Sequence, residues 1–157
     1  MPLASINYKF SQRFKVPVDE AFAWSIDYEP GPGDLKRMGA KGTRKVQRLT
    51  PDTVILEDTK VTDEGRVTKT RLVRIYHERR SFVNTHIGGP TPHSQYLYEF
   101  FPEKGGGSRL DFTGLLLLPT SKRLPARQIA KLAQAERKAD SDTWKSLAKA
   151  MESELKR

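Results

Sequence analysis

The sequence predicts an α+β domain: a seven-stranded curved antiparallel sheet wrapped around one long C-terminal helix, with two short helices between the first and second strands. Two observations carry this reading. Between residues 43 and 118, apolar side chains tend to recur at every second position, in runs parted by short turns. Beyond Pro119 the period becomes helical and holds over about 30 residues.

Taken in order, Tyr8, Phe10 and Phe14 alternate with Lys9, Ser11, Arg13 and Lys15, the pattern of a strand with one buried face. Val16-Pro17 ends it, because proline has no amide hydrogen for the ladder. Asp19 and Glu20 stand where acids favour a helix N-terminus, ahead of Ala21, Phe22, Trp24 and Ile26, so a short helix is predicted near 18–26. The stretch Glu29-Pro30-Gly31-Pro32-Gly33 breaks the chain direction, and Asp34 is placed to cap a second short helix through Met38. Six strands follow, over 43–49, 53–60, 66–76, 81–87, 94–101 and 109–118. Turn residues join them: Thr50-Pro51-Asp52, Asp63-Glu64-Gly65, the Gly-Pro loop at 88–92, and the glycines of 103–108. Connections this short make the order an antiparallel meander. In the final segment Ile129 and Leu132, then Trp144, Leu147, Ala148, Met151 and Leu155, form an apolar stripe. Such a stripe needs an apolar surface to cover, and the inner face of the sheet is the one available.

Composition sets the outer bounds. A chain of 157 residues fits one domain, 1–157. With 36% hydrophobic and 30% charged residues it is polar, but far from a disordered composition. The absence of cysteine excludes disulfides and thiolate chemistry. The most apolar run, 115–118, is far too short to span a membrane, and the first ten residues lack the apolar stretch of a secretory signal. The expectation is a cytoplasmic protein without a membrane span.

The formal net charge is +9. Such a balance favours anionic partners, but here the charge is dispersed, as on a solvated basic surface. On the long helix, Lys138, Lys145 and Lys149 share the side away from Trp144 and offer at most a weak anionic docking face. A second basic group, Lys36, Arg37, Lys41, Arg44, Lys45 and Arg48, surrounds the loop after the short helices. No exposed aromatics interleave with this second group as single-strand binding requires, so nucleic acid is not an expected partner.

No nucleophile elbow, Walker loop or dinucleotide fingerprint is present, and Gly31-Pro32-Gly33 reads as a turn. His86 and His93 flank the Gly-Pro loop, but their spacing with Glu99 or Asp111 matches no metal-ligand pattern. Neither metal nor cofactor is expected. The inward-facing set is more informative. It comprises Tyr8 and Phe10 on the first strand, Phe82, Asn84 and His86 on the fifth, and Tyr96 and Tyr98 on the sixth. Phe112 and the small Gly114 follow on the seventh, and Trp144, Leu147 and Met151 on the helix. An aromatic shell with a few polar groups suits a pocket for an apolar small molecule. Asn84, His86, Tyr96 and Tyr98 would orient it, since buried amides and hydroxyls need partners. Acid–base chemistry would fall to His86 or Tyr98, but nothing in the sequence activates them and no catalytic residue is assigned.

The run Phe14-Lys15-Val16-Pro17-Val18-Asp19-Glu20-Ala21-Phe22-Ala23-Trp24 resembles the first strand, proline turn and first helix of the START-like (SRPBCC; polyketide cyclase, Bet v 1-like) superfamily. Tyr96-Leu97-Tyr98-Glu99-Phe100 with Gly107-Ser108-Arg109-Leu110 is similar to its strand–turn–strand, and Asp142-Thr143-Trp144-Lys145-Ser146-Leu147 to its closing helix. The resemblance implies a helix-grip fold with an elongated cavity between sheet and long helix. It also implies roles ranging from carriage of lipids, steroids and hormones to polyketide cyclisation. The glycine-rich loop of the plant members has no counterpart at Thr50-Pro51-Asp52. The expected function is binding or carriage of a hydrophobic small molecule, such as a lipid, steroid or polyketide-like compound. The alternatives are a cyclase- or hydratase-type enzyme on the same fold, and a basic module for nucleic acid or protein interaction.

Overall fold

A computed structural model describes residues 3–28 and 41–156. The second short helix predicted at Asp34, with Lys36 and Arg37, lies outside the described residues. Strand β1 (Leu3–Phe14) leads into helix α1 (Val18–Ser25). Six strands follow: β2 (Gly42–Thr50), β3 (Thr53–Thr62), β4 (Gly65–Tyr76), β5 (Ser81–Gly88), β6 (Gln95–Pro102) and β7 (Ser108–Pro119). Helix α2 (Ala126–Glu154) closes the chain. The seven strands form one antiparallel sheet in the order β1-β7-β6-β5-β4-β3-β2, with β1 and β2 at the edges.

Strand β1 begins earlier than Tyr8. Ala4 and Ile6 continue its buried row, and it pairs β7 from Leu3↔Pro119 to Phe14↔Ser108. The Ser108 hydroxyl donates to the Val16 carbonyl at 2.7 Å, tying the chain after β1 to the start of β7. Pro17 stands before the first turn of α1, where its missing amide hydrogen costs nothing. That helix buries Ala21 and Phe22. The hairpin between β6 and β7 turns through Gly105 and Gly106, at φ of 87° and 92°, a conformation that a side chain disfavours.

Two irregularities bend the sheet. Strand β2 shifts register between Arg48 and Thr50. On β5, Thr70↔Gly88 and Arg71↔His86 leave Ile87 as an extra residue, a bulge that increases local twist. The curved inner face packs on α2, which buries Trp144, Ala148 and Met151. Ile129, Leu132 and Ala133 pack half-buried against the same core. Among the described residues, no helix is long and apolar enough to cross a membrane.

Candidate ligand-binding cavity

Each of strands β3 to β6 changes character along its inward row. On β3 the row runs from Val54 and Leu56, fully buried, to Asp58 and Lys60. On β4 it runs from Ile75 and Val73 to Arg71 and Lys69. On β5 Phe82 gives way to Asn84 and His86, and on β6 Phe100 gives way to Tyr98 and Tyr96. Pairing in register brings these changes side by side: Ile75↔Phe82, Val73↔Asn84, Arg71↔His86, and Phe82↔Tyr98, Asn84↔Tyr96. The stripe of α2 does the same, with Glu136 and Asp140 preceding Trp144 at helical spacing. Where both walls turn polar, sheet and helix part around a cavity of about 240 Å³.

Eight of the predicted site residues line it: Phe82, Asn84, His86 and Tyr96 on the sheet, then Tyr98, Phe112, Trp144 and Leu147. Three predicted residues do not. Phe10 is covered by Phe112, its ring stacked at 4.6 Å. Met151 is fully buried two turns beyond Trp144, where α2 and the sheet are in contact. Tyr8 stands behind the lining and donates its hydroxyl to Asp140 Oδ2 at 2.5 Å. Gly114 makes that possible, since a Cβ there would come within 2.8 Å of Tyr8 Cζ. Alternation identifies the face a residue belongs to, but not its height along the strand.

The floor is aromatic. Phe82 stacks on Tyr98 at 4.3 Å, Tyr98 meets Phe112 edge-on at 5.1 Å, and Trp144 tilts against Tyr98 at 5.7 Å. Set into this floor is Asn84, only 3% exposed. Its Nδ2 donates to the Tyr98 hydroxyl at 3.4 Å, and its Oδ1 accepts no hydrogen bond from any described residue. A buried carbonyl oxygen without a donor costs stability, which a partner inside the cavity would restore.

The polar wall was not foreseen. Arg44 Nε and Nη2 donate to the two oxygens of Asp58 at 2.6 and 2.9 Å, and Arg71 Nη2 donates to Oδ2 at 2.6 Å. Burial pushes the Asp58 carboxyl up, but these guanidinium contacts outweigh it and hold the carboxyl below its usual range. Lys60 is pulled below the usual lysine range by burial and by Lys69 and Arg71. His86 is pulled down to about 4, first by burial and then by Arg71, Lys69 and Lys60, so its imidazole is neutral at pH 7.

On the helix side, burial raises the Asp140 carboxyl against the opposing effects of Tyr8 and the two lysines. Burial and Asp140 raise Glu136. The Tyr96 hydroxyl is pushed up to about 12 by burial and by Asp140. Trp24 and Tyr28 complete the rim near α1, and Arg44 lies over the Tyr28 ring at 5.8 Å from its centre. The signal for these residues was the unbroken parity from Leu56 to Asp58 and Lys60, and the helical step back from Trp144 to Asp140.

The structure leaves His93 exposed and brings no three of His, Asp and Glu together as metal ligands among the described residues. Lys138 and Lys145 are exposed on the outer face of α2, both paired with Asp142, at 2.7 and 3.8 Å.

No protein-family model matches this chain, and no curated protein matches it in sequence. Solved structures do. Zhui aromatase/cyclase from Streptomyces sp. R1128 superposes with a TM-score of 0.77 over 95% of this chain and 94% of its own, at 10% identity. The chain shares the helix-grip fold of these structures. Ara h 8.0201 shares it at TM-score 0.70 and 14% identity, over 96% of this chain and 99% of its own. The di-domain ARO/CYC StfQ from the steffimycin biosynthetic pathway matches at 0.75 and 12% identity, this chain covering 51% of its length. Identities this low carry the fold, and the site must be argued from its own residues.

Proposed function

We propose that this helix-grip protein binds and carries an apolar small molecule in the cavity between sheet and α2. The observation that carries the reading is Asn84: a buried amide in the aromatic lining of the cavity, whose carbonyl oxygen accepts a hydrogen bond from no described residue. Filled cores pair their polar groups internally, whereas binding pockets leave a few aimed at the ligand. The ligand therefore has an apolar body, lipid-, steroid- or polyketide-like, and a hydroxyl or N–H that reaches Asn84. The test is native mass spectrometry of the protein purified from its own host. One lipophilic molecule retained per chain is the expected result. Bare protein, before and after incubation with a lipid extract of the host, would overturn the reading.

A second reading, an acid–base enzyme in the same cavity, is favoured by His86. Its imidazole lines the cavity beside the aromatic floor, held neutral as a weak base whose protonation burial and the neighbouring cations oppose. Zhui and StfQ are aromatase/cyclases built on this frame. An enzyme would release a bound molecule chemically changed, and His86→Gln would stop the change while leaving the melting temperature near the native value. A carrier releases its ligand unaltered.

A further inference from the structure

Resting on the ligand-binding reading, we propose that the molecule taken up is an acidic amphiphile. Its anionic head is held by Lys60, Lys69 and Arg71, and its apolar body lies over Tyr98, Phe112 and Trp144. The basis is an imbalance of charge on the polar wall. Arg44, Lys60, Lys69 and Arg71 face the cavity from β2, β3 and β4, and one carboxylate, Asp58, stands among them. Both oxygens of Asp58 are already engaged, by Arg44 and by Arg71. Neither Lys60 nor Lys69 forms an ion pair with any described residue.

The remaining carboxylates of the lining do not answer this charge. Asp27 is exposed at the α1 end. Glu136 and Asp140 lie across the cavity on α2, where Lys69 draws on both and Lys60 on Asp140 electrostatically, but among the described residues no ion pair closes. Asp140 already accepts from Tyr8. Two half-buried ammonium groups thus line an aromatic space, one of them desolvated enough to lose proton affinity. An anion placed between them relieves their mutual repulsion and supplies acceptors for their hydrogens. A neutral ligand does neither, and a cationic one adds to the repulsion.

Two fluorescent probes with the same aromatic body separate the possibilities. 1-Anilinonaphthalene-8-sulfonate carries an anion, and N-phenyl-1-naphthylamine does not. The sulfonate should bind about tenfold more tightly, the worth of one charge-assisted contact. Lys60→Met and Lys69→Met should each erase about three- to tenfold of sulfonate affinity and leave the neutral probe within about twofold. Lys60→Arg should retain sulfonate binding and so separates charge from fold, and Lys138→Met on the outer face of α2 should change neither probe. Equal or tighter binding of the neutral probe would overturn the anionic preference while leaving the cavity reading intact. The same holds if the lysine variants weaken both probes alike. A loss of sulfonate binding in Lys138→Met would place the anion on the helix surface and overturn it too. Binding of neither probe would remove the ligand-binding reading itself.

Discussion

At the packed end of the interior, Phe100 packs against Phe22 at 5.8 Å, Phe14 at 6.2 Å and Trp144 at 6.5 Å. At the other end the same strands and the same helix carry Asp58, Arg71, Asn84, His86 and Asp140, and sheet and helix stand apart. The first region accounts for stability: rings in contact, water removed, little else. The second has given up apolar burial for charges that must satisfy one another and for an amide oxygen that they do not satisfy. One set of elements thus builds both a clamp and a site, and the height at which side chains turn polar is the border between them.

The comparison breaks most readily in the clamp. Phe100→Ala should lower unfolding free energy by about 3–5 kcal/mol in a denaturant titration, because the neighbouring rings cannot collapse into the space. A loss under about 1 kcal/mol would mean that the packed end is not the source of stability. At the polar end the largest effect should come from Asp58→Asn. It removes one buried counter-charge from Arg44, whose side chain is 6% exposed, and from Arg71. The expected cost is about 3 kcal/mol, as for other broken buried pairs. A neutral outcome would show that the cluster is solvated and not held by Asp58.

His86 gives the polar end a signature in pH. The folded protein takes up this proton only near pH 4, whereas the unfolded chain takes it up near 6.5. Between those values the unfolded state binds more protons, so this group's contribution falls as pH drops through the window and is constant below it. The loss should reach about 3 kcal/mol at most, and His86→Gln should remove it from the stability profile. Parallel profiles for the two proteins would show that the imidazole is not buried among cations. The smallest effect belongs to the outer face of α2, where Lys138 is 79% exposed. Lys138→Gln with Lys145→Gln should leave the melting temperature unmoved, since such pairs are solvated and weak. A clear drop would move this face into the set of stabilising contacts.

Sequence periodicity revealed the clamp more fully than the site. Strict alternation marked Phe82, Asn84, His86, Tyr96 and Tyr98 as one inward set, and helical spacing found the Trp144 stripe, because burial of apolar residues imposes those periods. Charges inside break the rule by which periods are recognised. Asp58, Lys60, Lys69 and Arg71 resemble the outward half of their strands until their parity is counted from Val54 and Val73. Asp140 and Glu136 resemble solvated helix acids until the stripe is followed back from Trp144. Tyr8, Phe10 and Met151 show the opposite error: their face was legible, but contacts between distant segments decide where along that face the interior opens.

The central claim is that the opening is a binding site. Leu147 lines it from α2 and is only half-buried, so Leu147→Trp extends a side chain into the space without disturbing the clamp. Fluorescence titration with N-phenyl-1-naphthylamine, run on the native protein and on Leu147→Trp, tests the claim directly. The account predicts saturable one-to-one binding to the native protein and at least about tenfold weaker binding to the filled variant, with both melting at the same temperature. Equal affinity in the two proteins would contradict it, because the probe would then be bound somewhere other than between sheet and helix.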